Sequence, residues 1–202
     1  MPMPRLLVFL KAPRPGAVKT RLAKTLGAHA ACAAYCGLVE TLLKSLTPLP
    51  CLELCFTPDD ARPEIQPWLH AGWLTRAQGN GDLGARLANT FTAAFAEGAQ
   101  RVVIIGSDCP TVTVDDIEQA WAALRTHDVV LGPATDGGYW LIGLRAPQAE
   151  LFEGISWSSE KVLIETLARA CAAGLSVHQL REQTDVDTEA EWSAWVRQRE
   201  RG

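Results

Sequence analysis

The chain has 202 residues, of which 48% are apolar and 21% charged, as in a globular domain with a substantial core. Its formal net charge of −4 at pH 7, without a long block of either sign, disfavours binding to duplex nucleic acid. The first apolar run, from Leu6 to Leu10, is too short for a signal peptide or a membrane span. We therefore expect a cytoplasmic protein that binds neither nucleic acid nor membrane.

Strand patterns alternate with helical patterns along the sequence. We predict strands at residues 5–10, 51–56, 73–77, 101–106, 128–132, 139–144 and 175–180. We predict helices at 28–46, 60–71, 83–98 and 159–173, and two more after Thr113 and Thr188. Thr57, Thr113 and Thr188 each have an acidic residue three positions later, which is capping-box spacing.

This alternation predicts an α/β protein with a mostly parallel sheet covered on both faces, and residues 1–202 as a single domain. Ligands of such sheets bind at the carboxyl ends of the strands. The six cysteines and four histidines lack the spacing of a structural zinc site, so most cysteines are expected to be small buried residues.

The loop after the first strand, residues 11–21, is basic. It contains Lys11, Arg14, Lys19 and Arg21, and its glycine spacing does not match a Walker A loop. If a helix begins directly after it, free backbone N–H groups and the helix dipole would favour an anion such as a phosphate. A solvated basic turn is equally compatible with this composition. We call this segment the basic loop.

Residues 78–86 form a second unusual segment, here called the glycine loop. Gly79, Gly81 and Gly84 permit positive φ angles or close approach of a ligand to the backbone. Asp82 has the position of a helix N-cap. The segment could therefore be either a turn or part of a site.

Three segments contain acidic residues at predicted loop positions. Asp108 follows the most apolar strand and could bind a hard cation such as Mg²⁺, or accept backbone N–H groups in a turn. Asp185 and Asp187 precede the last helix cap, and one of them could supply a second metal carboxylate. Asp136 lies between two short strands, in a loop that is longer than a minimal hairpin turn.

Taken together, these segments resemble a bacterial transferase family associated with radical-SAM and selenium-domain proteins, within the GT-A superfamily of nucleotide-diphospho-sugar transferases. The resemblance extends from residue 5 to about residue 190. The matching stretches are residues 11–22, 78–84, 106–110, 132–139, 141–144, 155–158 and 185–188.

The resemblance implies a GT-A fold, a Rossmann-like three-layer α/β/α sandwich. It implies a nucleotide or nucleotide-sugar donor, a small-molecule acceptor, and Mg²⁺ or Mn²⁺ as cofactor. Ser107-Asp108-Cys109 departs from the strict Asp-x-Asp of metal-dependent glycosyltransferases, so a metal site divided between Asp108 and Asp187 is more plausible.

The same resemblance suggests roles for individual residues. Lys19 and Arg21 would contact phosphates, Asp108 and Asp187 would hold the metal, and Asp136 would act as a general base or bind sugar hydroxyls. The nucleotide-binding residues would be Lys11, Pro13, Gly16, Lys19, Gly79, Gly81, Asp82 and Gly84. Independently of the resemblance, the aromatic residues Trp140 and Trp157 are candidates for an acceptor surface, although Trp157 could equally pack at the start of a helix.

The favoured reaction is glycosyl transfer from a nucleotide-sugar. The alternative is nucleotidyl transfer with release of pyrophosphate, as in the molybdopterin and phospholactate enzymes of the superfamily. A nucleotide-binding module without turnover is a third hypothesis. The sequence predicts neither the donor base nor the oligomeric state.

Overall fold

The computed structural model describes residues 3–50 and 52–200. Its strands are β1 (Arg5–Lys11), β2 (Leu52–Thr57), β3 (Leu74–Ala77), β4 (Val102–Ile105), β5 (Val129–Pro133), β6 (Tyr139–Leu144) and β7 (Val177–Gln179). Its helices are α1 (Ala23–Leu26), α2 (Ala28–Leu46), α3 (Arg62–Ile65), α4 (Leu83–Ala96), α5 (Val114–Ala123), α6 (Val162–Ala172) and α7 (Glu189–Arg199). Short 3₁₀ turns lie at Gln66–Trp68 and Ala149–Phe152.

The strands form one seven-stranded sheet in the order β3-β2-β1-β4-β6-β5-β7. β1, β2, β3 and β4 are parallel, and β6 runs antiparallel to both β4 and β5. From β1 the chain first builds toward β2 and β3, and later returns to place β4 on the other side of β1. Strand order thus reverses between β1 and β4, which creates a crevice at their carboxyl ends.

The central strands are apolar on both faces, as expected for strands covered by helices on both sides. Leu6, Val8 and Leu10 of β1 pack into a core with α2 and α5, whereas Leu7 and Phe9 pack into a second core with α4 and α6. The α/β/α sandwich with a mostly parallel sheet is therefore confirmed.

Two predicted capping boxes are confirmed. The Thr113 side chain accepts a hydrogen bond from the backbone N–H of Asp116, whose carboxylate accepts from the N–H of Thr113, and Thr188 and Glu191 repeat the arrangement. The capping box predicted at Thr57 is wrong because that residue ends β2. α3 starts only at Arg62 and has no side-chain cap.

The predicted helix at residues 60–71 is also wrong in length, since four residues of α3 are followed by the 3₁₀ turn at Gln66–Trp68. The other predicted elements are present, with ends that differ by a few residues. Cys51, the predicted first residue of the second strand, lies outside the described residues. Within the described chain, no helix is long and apolar enough to cross a membrane.

Asp116 also connects α5 to the segment that precedes α7. Its two carboxylate oxygens accept hydrogen bonds from Arg181 Nε and Nη2 at 2.6 and 2.8 Å, although the Asp116 residue is only 4% exposed. Burial raises the pKa of Asp116, but the hydrogen bonds from Arg181 and Thr113 lower it more, so that it lies below its usual value.

We expect Asp116→Asn to lower the free energy of unfolding by about 1–3 kcal/mol at pH 7, because it weakens a buried charge-assisted hydrogen bond and a helix cap. Urea denaturation measures this difference. The depressed folded-state pKa stabilises the protein above the ordinary aspartate pKa of about 4, and this contribution disappears as pH falls through the folded value. The difference between wild type and variant should therefore shrink in acid.

The control is Asp115→Asn, which changes an exposed carboxylate that accepts a hydrogen bond from Gln119 on the same helix. It should change stability by less than about 0.5 kcal/mol. An equal loss in both variants would show that Asp116 has no special role.

Candidate functional site

A cleft of about 660 Å³ opens at the carboxyl ends of β1 and β4, where the strand order reverses. It is lined by the end of β1, the basic loop, the turn after β4, the β5–β6 hairpin and the segment before α7. The candidate residues on its walls are Lys11, Lys19, Arg21, Asp108, Asp136, Asp185 and Asp187. Tertiary structure thus brings together charged residues that lie far apart in sequence.

Lys19 is at the centre of this charge cluster. Its Nζ donates to Oδ1 of Asp108 and, at 2.8 Å, to Oδ1 of Asp187. The side chain of Lys19 is only 2% exposed, whereas those of Asp108 and Asp187 are 42% and 37% exposed. Burial alone would lower the pKa of Lys19, but the two carboxylates raise it more, so its pKa lies above the usual lysine value.

Asp185 is a third carboxylate of this region and has a different environment. It accepts a hydrogen bond from the thiol of Cys109 at 2.6 Å. Burial, together with the charges of Asp108, Asp136 and Asp187, raises the pKa of Asp185 to about 6, although the Cys109 hydrogen bond opposes this shift. Burial also raises the pKa of Cys109 well above its usual value, so this cysteine stays a thiol donor and is no nucleophile.

Backbone contacts fix the two metal-candidate carboxylates relative to each other. The N–H of Val186 donates to the carbonyl of Asp108 at 2.9 Å, which joins the turn after β4 to the segment before α7. Glu191 accepts from the backbone N–H groups of Asp187 and Thr188, both at 2.7 Å. The cap of α7 therefore positions Asp187 as well as starting the helix.

The basic loop is held by contacts to other elements. Arg14 donates to Glu64 and Asp60, so one of the loop's four cations is used in an ion pair away from the cleft. The expected helix N-terminus is a weak anion site, because α1 begins only at Ala23 and has a single turn. The positive charge that the basic loop brings to the cleft therefore comes from side chains, those of Lys11, Lys19 and Arg21.

Most of the glycine loop serves packing and turn geometry. Gly79 N–H donates to Asp59, and Asp82 caps α4 by accepting from the N–H of Ala85 at 2.8 Å. A Cβ at Gly84 would lie 2.7 Å from Nε1 of Trp157, so only glycine allows this helix and loop to meet. Of the predicted nucleotide-binding residues, Lys11 and Lys19 line the cleft, whereas Pro13, Gly16, Gly79, Gly81, Asp82 and Gly84 do not. Three residues of the glycine loop that were not predicted as ligand contacts do line it: Gln78, Leu83 and Arg86.

The β5–β6 hairpin places Asp136 on the cleft wall. Oδ1 of Asp136 accepts from the N–H of Gly138 at 2.9 Å, and the side chain is otherwise exposed. Trp157 also lines the cleft and is half-buried. Trp140 is not an acceptor surface, since it is 3% exposed, packs under Gly132 and donates to the carbonyl of Arg181.

Two positioning residues were missed by the sequence reasoning. The Tyr35 hydroxyl, from α2, accepts from the N–H of Lys11 at 2.9 Å, donates to its carbonyl at 3.1 Å and lies 3.3 Å from Ser107 Oγ. The buried amide of Gln78 donates to the carbonyls of Leu10 and Cys55. Tyr35 lies in a predicted helix, among apolar residues, and Gln78 lies in the glycine loop. Nothing in either sequence pattern indicates that the two side chains hold the ends of strands.

The described residues contain no group of three or more His, Cys, Asp or Glu side chains that could together hold a metal ion. Asp108 and Asp187 nevertheless share one cation, the Lys19 ammonium, and retain exposed oxygens. Mg²⁺ and Mn²⁺ prefer oxygen ligands, and Mg²⁺ is commonly held by one or two carboxylates together with substrate phosphates. The donor set therefore fits such a cation, provided that a ligand supplies the remaining oxygens.

We expect Tyr35→Phe to lower the free energy of unfolding by about 1–3 kcal/mol, because it removes the hydroxyl that accepts from the part-buried N–H of Lys11 and donates to the Lys11 carbonyl. Tyr139→Phe is the matched control, since the buried Tyr139 hydroxyl has no hydrogen-bond partner among the described residues. That control should be neutral or slightly stabilising. Chemical denaturation of both variants measures the contrast, and equal effects would contradict the positioning role of Tyr35.

Comparisons with other proteins agree with this architecture. A protein from Desulfovibrio desulfuricans G20, described as a presumed nucleotide-diphospho-sugar transferase, is 37% identical to this chain; the match covers 93% of this chain and 84% of that one, with a TM-score of 0.87. No curated protein matches the sequence.

Two more distant structures share the fold alone. CMP:2-keto-3-deoxy-manno-octonic acid synthetase, solved with CTP, is 11% identical, with 97% of this chain and 99% of that one covered and a TM-score of 0.59. Rv0371c of Mycobacterium tuberculosis H37Rv, solved with manganese, is 15% identical, with 96% and 98% covered and a TM-score of 0.56.

At the family level, residues 44–159, more than half of the chain, match the family described as "Uncharacterized protein conserved in bacteria (DUF2064)". Together with the relative from D. desulfuricans, this match shows that the chain belongs to the DUF2064 family.

Proposed function

We propose that this protein is a metal-dependent transferase that moves a sugar from a nucleotide-sugar to a small-molecule acceptor. The observation that carries the proposal is the meeting of Lys19 with Asp108 and Asp187 in a cleft at the switch point of the sheet. Cations and acids from three separate segments converge where α/β sheets bind their ligands. This arrangement suits a diphosphate better than an uncharged ligand.

The basic side of the cleft would bind the donor phosphates. Lys11 and Arg21 are exposed on the cleft wall, and Lys19 lies deeper beside the acids. Fixed positive charges stabilise the negative charge that develops on a leaving phosphate, and this contribution is often the largest in such reactions. The glycine loop would support the nucleotide through Gln78 and Arg86, which reach the cleft.

Asp108 and Asp187 would hold the divalent cation. When bound there, Mg²⁺ or Mn²⁺ would neutralise charge on the donor phosphates. Asp187 is a better candidate than Asp185 for the second ligand, because Asp187 already shares a cation with Asp108, whereas Asp185 is engaged by the Cys109 thiol.

In glycosyl transfer, an acceptor hydroxyl oxygen forms a bond to the anomeric carbon of the donor. The bond between that carbon and the phosphate oxygen breaks, and a nucleoside diphosphate leaves. Asp136, which is exposed and lines the cleft, would take the proton of the acceptor hydroxyl or bind sugar hydroxyls.

Nucleotidyl transfer is the second candidate. An acceptor oxygen would attack the α-phosphate of a nucleoside triphosphate, and pyrophosphate would leave. The observation that favours it is the divided carboxylate pair, one after β4 and one before α7, in place of a single Asp-x-Asp. The fold shared with a synthetase solved with CTP is compatible with this reaction.

The 37% identity to a presumed nucleotide-diphospho-sugar transferase leads us to favour sugar transfer. Further parts of the proposal rest on the sequence resemblance and composition. These are the association with radical-SAM and selenium-domain proteins, the organisation of residues 1–202 as one domain, and a cytoplasmic location.

A ligand panel tests the proposal. Thermal unfolding is followed with nucleoside triphosphates, diphosphates and nucleotide-sugars, each with and without Mg²⁺ or Mn²⁺. A ligand at 100 times its Kd should stabilise by about 2.7 kcal/mol, or raise Tm by roughly 5 °C or more. Stabilisation by one nucleotide class, stronger with metal, supports the proposal, and no response to any nucleotide contradicts it.

Product analysis separates the two reactions. Release of a nucleoside diphosphate from a nucleotide-sugar indicates glycosyl transfer, whereas release of pyrophosphate from a triphosphate indicates nucleotidyl transfer. Tight nucleotide binding without any product would favour a binding module.

We expect Lys19→Ala to slow turnover by about 30- to 1000-fold, which corresponds to the loss of about 2–4 kcal/mol of transition-state stabilisation. Steady-state kinetics with the donor identified above measures this effect. Lys24→Ala is the control, because Lys24 is an exposed cation on the adjacent α1 that does not line the cleft. Near-normal turnover of Lys19→Ala would remove Lys19 from the catalytic site.

A further inference from the structure

The ammonium of Lys19 lies between Asp108 and Asp187, the two carboxylates that would hold the metal. It donates to Oδ1 of both carboxylates, which come from different segments of the chain. The contact is built into the fold: the Lys19 side chain is 2% exposed, although lysine is seldom buried. The Lys19 backbone is also held in the left-handed region, with φ of 47°, which non-glycine residues rarely adopt.

We propose that Lys19 is a resident cation that competes with the divalent metal for Asp108 and Asp187 in the ligand-free protein. It would leave the two carboxylates when a nucleotide brings both the metal and its phosphates. This inference rests on the proposed function, because it takes Asp108 and Asp187 as the metal ligands.

Charge explains the competition. Asp108 and Asp187 with the Lys19 ammonium carry a net charge of −1, and without it they carry −2. The site without Lys19 would therefore attract a divalent cation more strongly, whereas two cations at the same pair of carboxylates repel each other. The exposed sides of Asp108 and Asp187 give a metal access to the pair from the cleft.

A nucleotide would change this balance. Its phosphates offer Lys19 new partners at the basic side of the cleft, where Lys11 and Arg21 already lie. They also supply the oxygen ligands that two carboxylates alone cannot provide. Metal and nucleotide should then bind with positive coupling, because each removes a cost of binding the other.

The alternative hypothesis, that the ion pair is purely structural, predicts a different effect of removing Lys19 on metal binding. In that case Lys19 fixes the two carboxylates in place, and its removal disorders the site without improving metal binding. The two hypotheses therefore differ in whether metal affinity rises when the ammonium is removed: competition predicts a rise, and a structural ion pair predicts none.

The experiment measures Mn²⁺ binding to the full chain without nucleotide, from the electron paramagnetic resonance signal of free Mn²⁺. Lys19→Met keeps the length of the side chain and removes its charge. We expect it to bind Mn²⁺ roughly 10- to 100-fold more tightly than wild type, in the range of ordinary coupling between two ligands. Equal or weaker binding by Lys19→Met overturns the proposal.

Two kinds of control variant and a second readout show whether the change in Mn²⁺ affinity is specific to Lys19. Lys24→Met removes an exposed charge on neighbouring α1 and should leave Mn²⁺ affinity at the wild-type value. Adding Asp108→Asn or Asp187→Asn to Lys19→Met should abolish the gain. Since loss of the ion pair could also destabilise the fold, thermal unfolding with and without Mn²⁺ provides a second readout: Mn²⁺ should raise the Tm of Lys19→Met more than that of wild type.

The inference and the proposed function fail in different ways. Mn²⁺ binding here is measured without nucleotide and without turnover. If wild type binds nucleotide with metal but Lys19→Met gains no Mn²⁺ affinity, the competition is wrong and the transferase proposal stands. If Lys19→Met gains affinity but no nucleotide binds, the competition is supported and the transferase proposal is wrong.

Discussion

The arrangement of the cleft depends on one buried ammonium group, that of Lys19. Lys19 is enclosed almost completely, and its single positive charge lies between two carboxylates that would otherwise repel each other at the carboxyl edge of the sheet. A buried lysine without a partner would be costly, so the Lys19 ammonium needs charged partners, which Asp108 and Asp187 supply in this structure. The conformations of the basic loop, the turn after β4 and the cap of α7 all converge on this contact.

The fold supplies this contact through its topology. β1 and β4 are parallel neighbours although they are separated by about half the chain, so the loops that follow them open at the same edge of the sheet. The segment before α7 is held beside the turn after β4 by a hydrogen bond from the backbone N–H of Val186 to the carbonyl of Asp108. Its end is held by Glu191, which accepts from the N–H of Asp187. Tyr35 then joins the end of β1 to Ser107. Hydrogen bonds therefore connect the segments that supply Asp108 and Asp187, and the exposed cations Lys11 and Arg21 line the same cleft.

The charge distribution also separates the roles of the acids. Asp108 and Asp187 are partly exposed and share a cation, Asp185 is engaged by a thiol and has a raised pKa, and Asp136 lies exposed on a hairpin. Four chemically identical side chains thus differ in what they can do, because they differ in burial, hydrogen-bond partners and exposure to the cleft. This division of roles is part of the support for the proposed diphosphate-containing donor.

The sequence by itself determined the alternation of strands and helices, the two capping boxes and the parallel sheet, because these follow from local periodicity and short-range hydrogen bonds. It also singled out Lys19, Asp108, Asp136 and Asp187, from their positions in predicted loops and from the family resemblance. Only the tertiary structure decided which of these residues touch, that Trp140 is buried and Gly84 serves packing, and that Tyr35 and Gln78 hold the strand ends. The physical reason is that these contacts depend on close approach of distant segments, which no local pattern encodes.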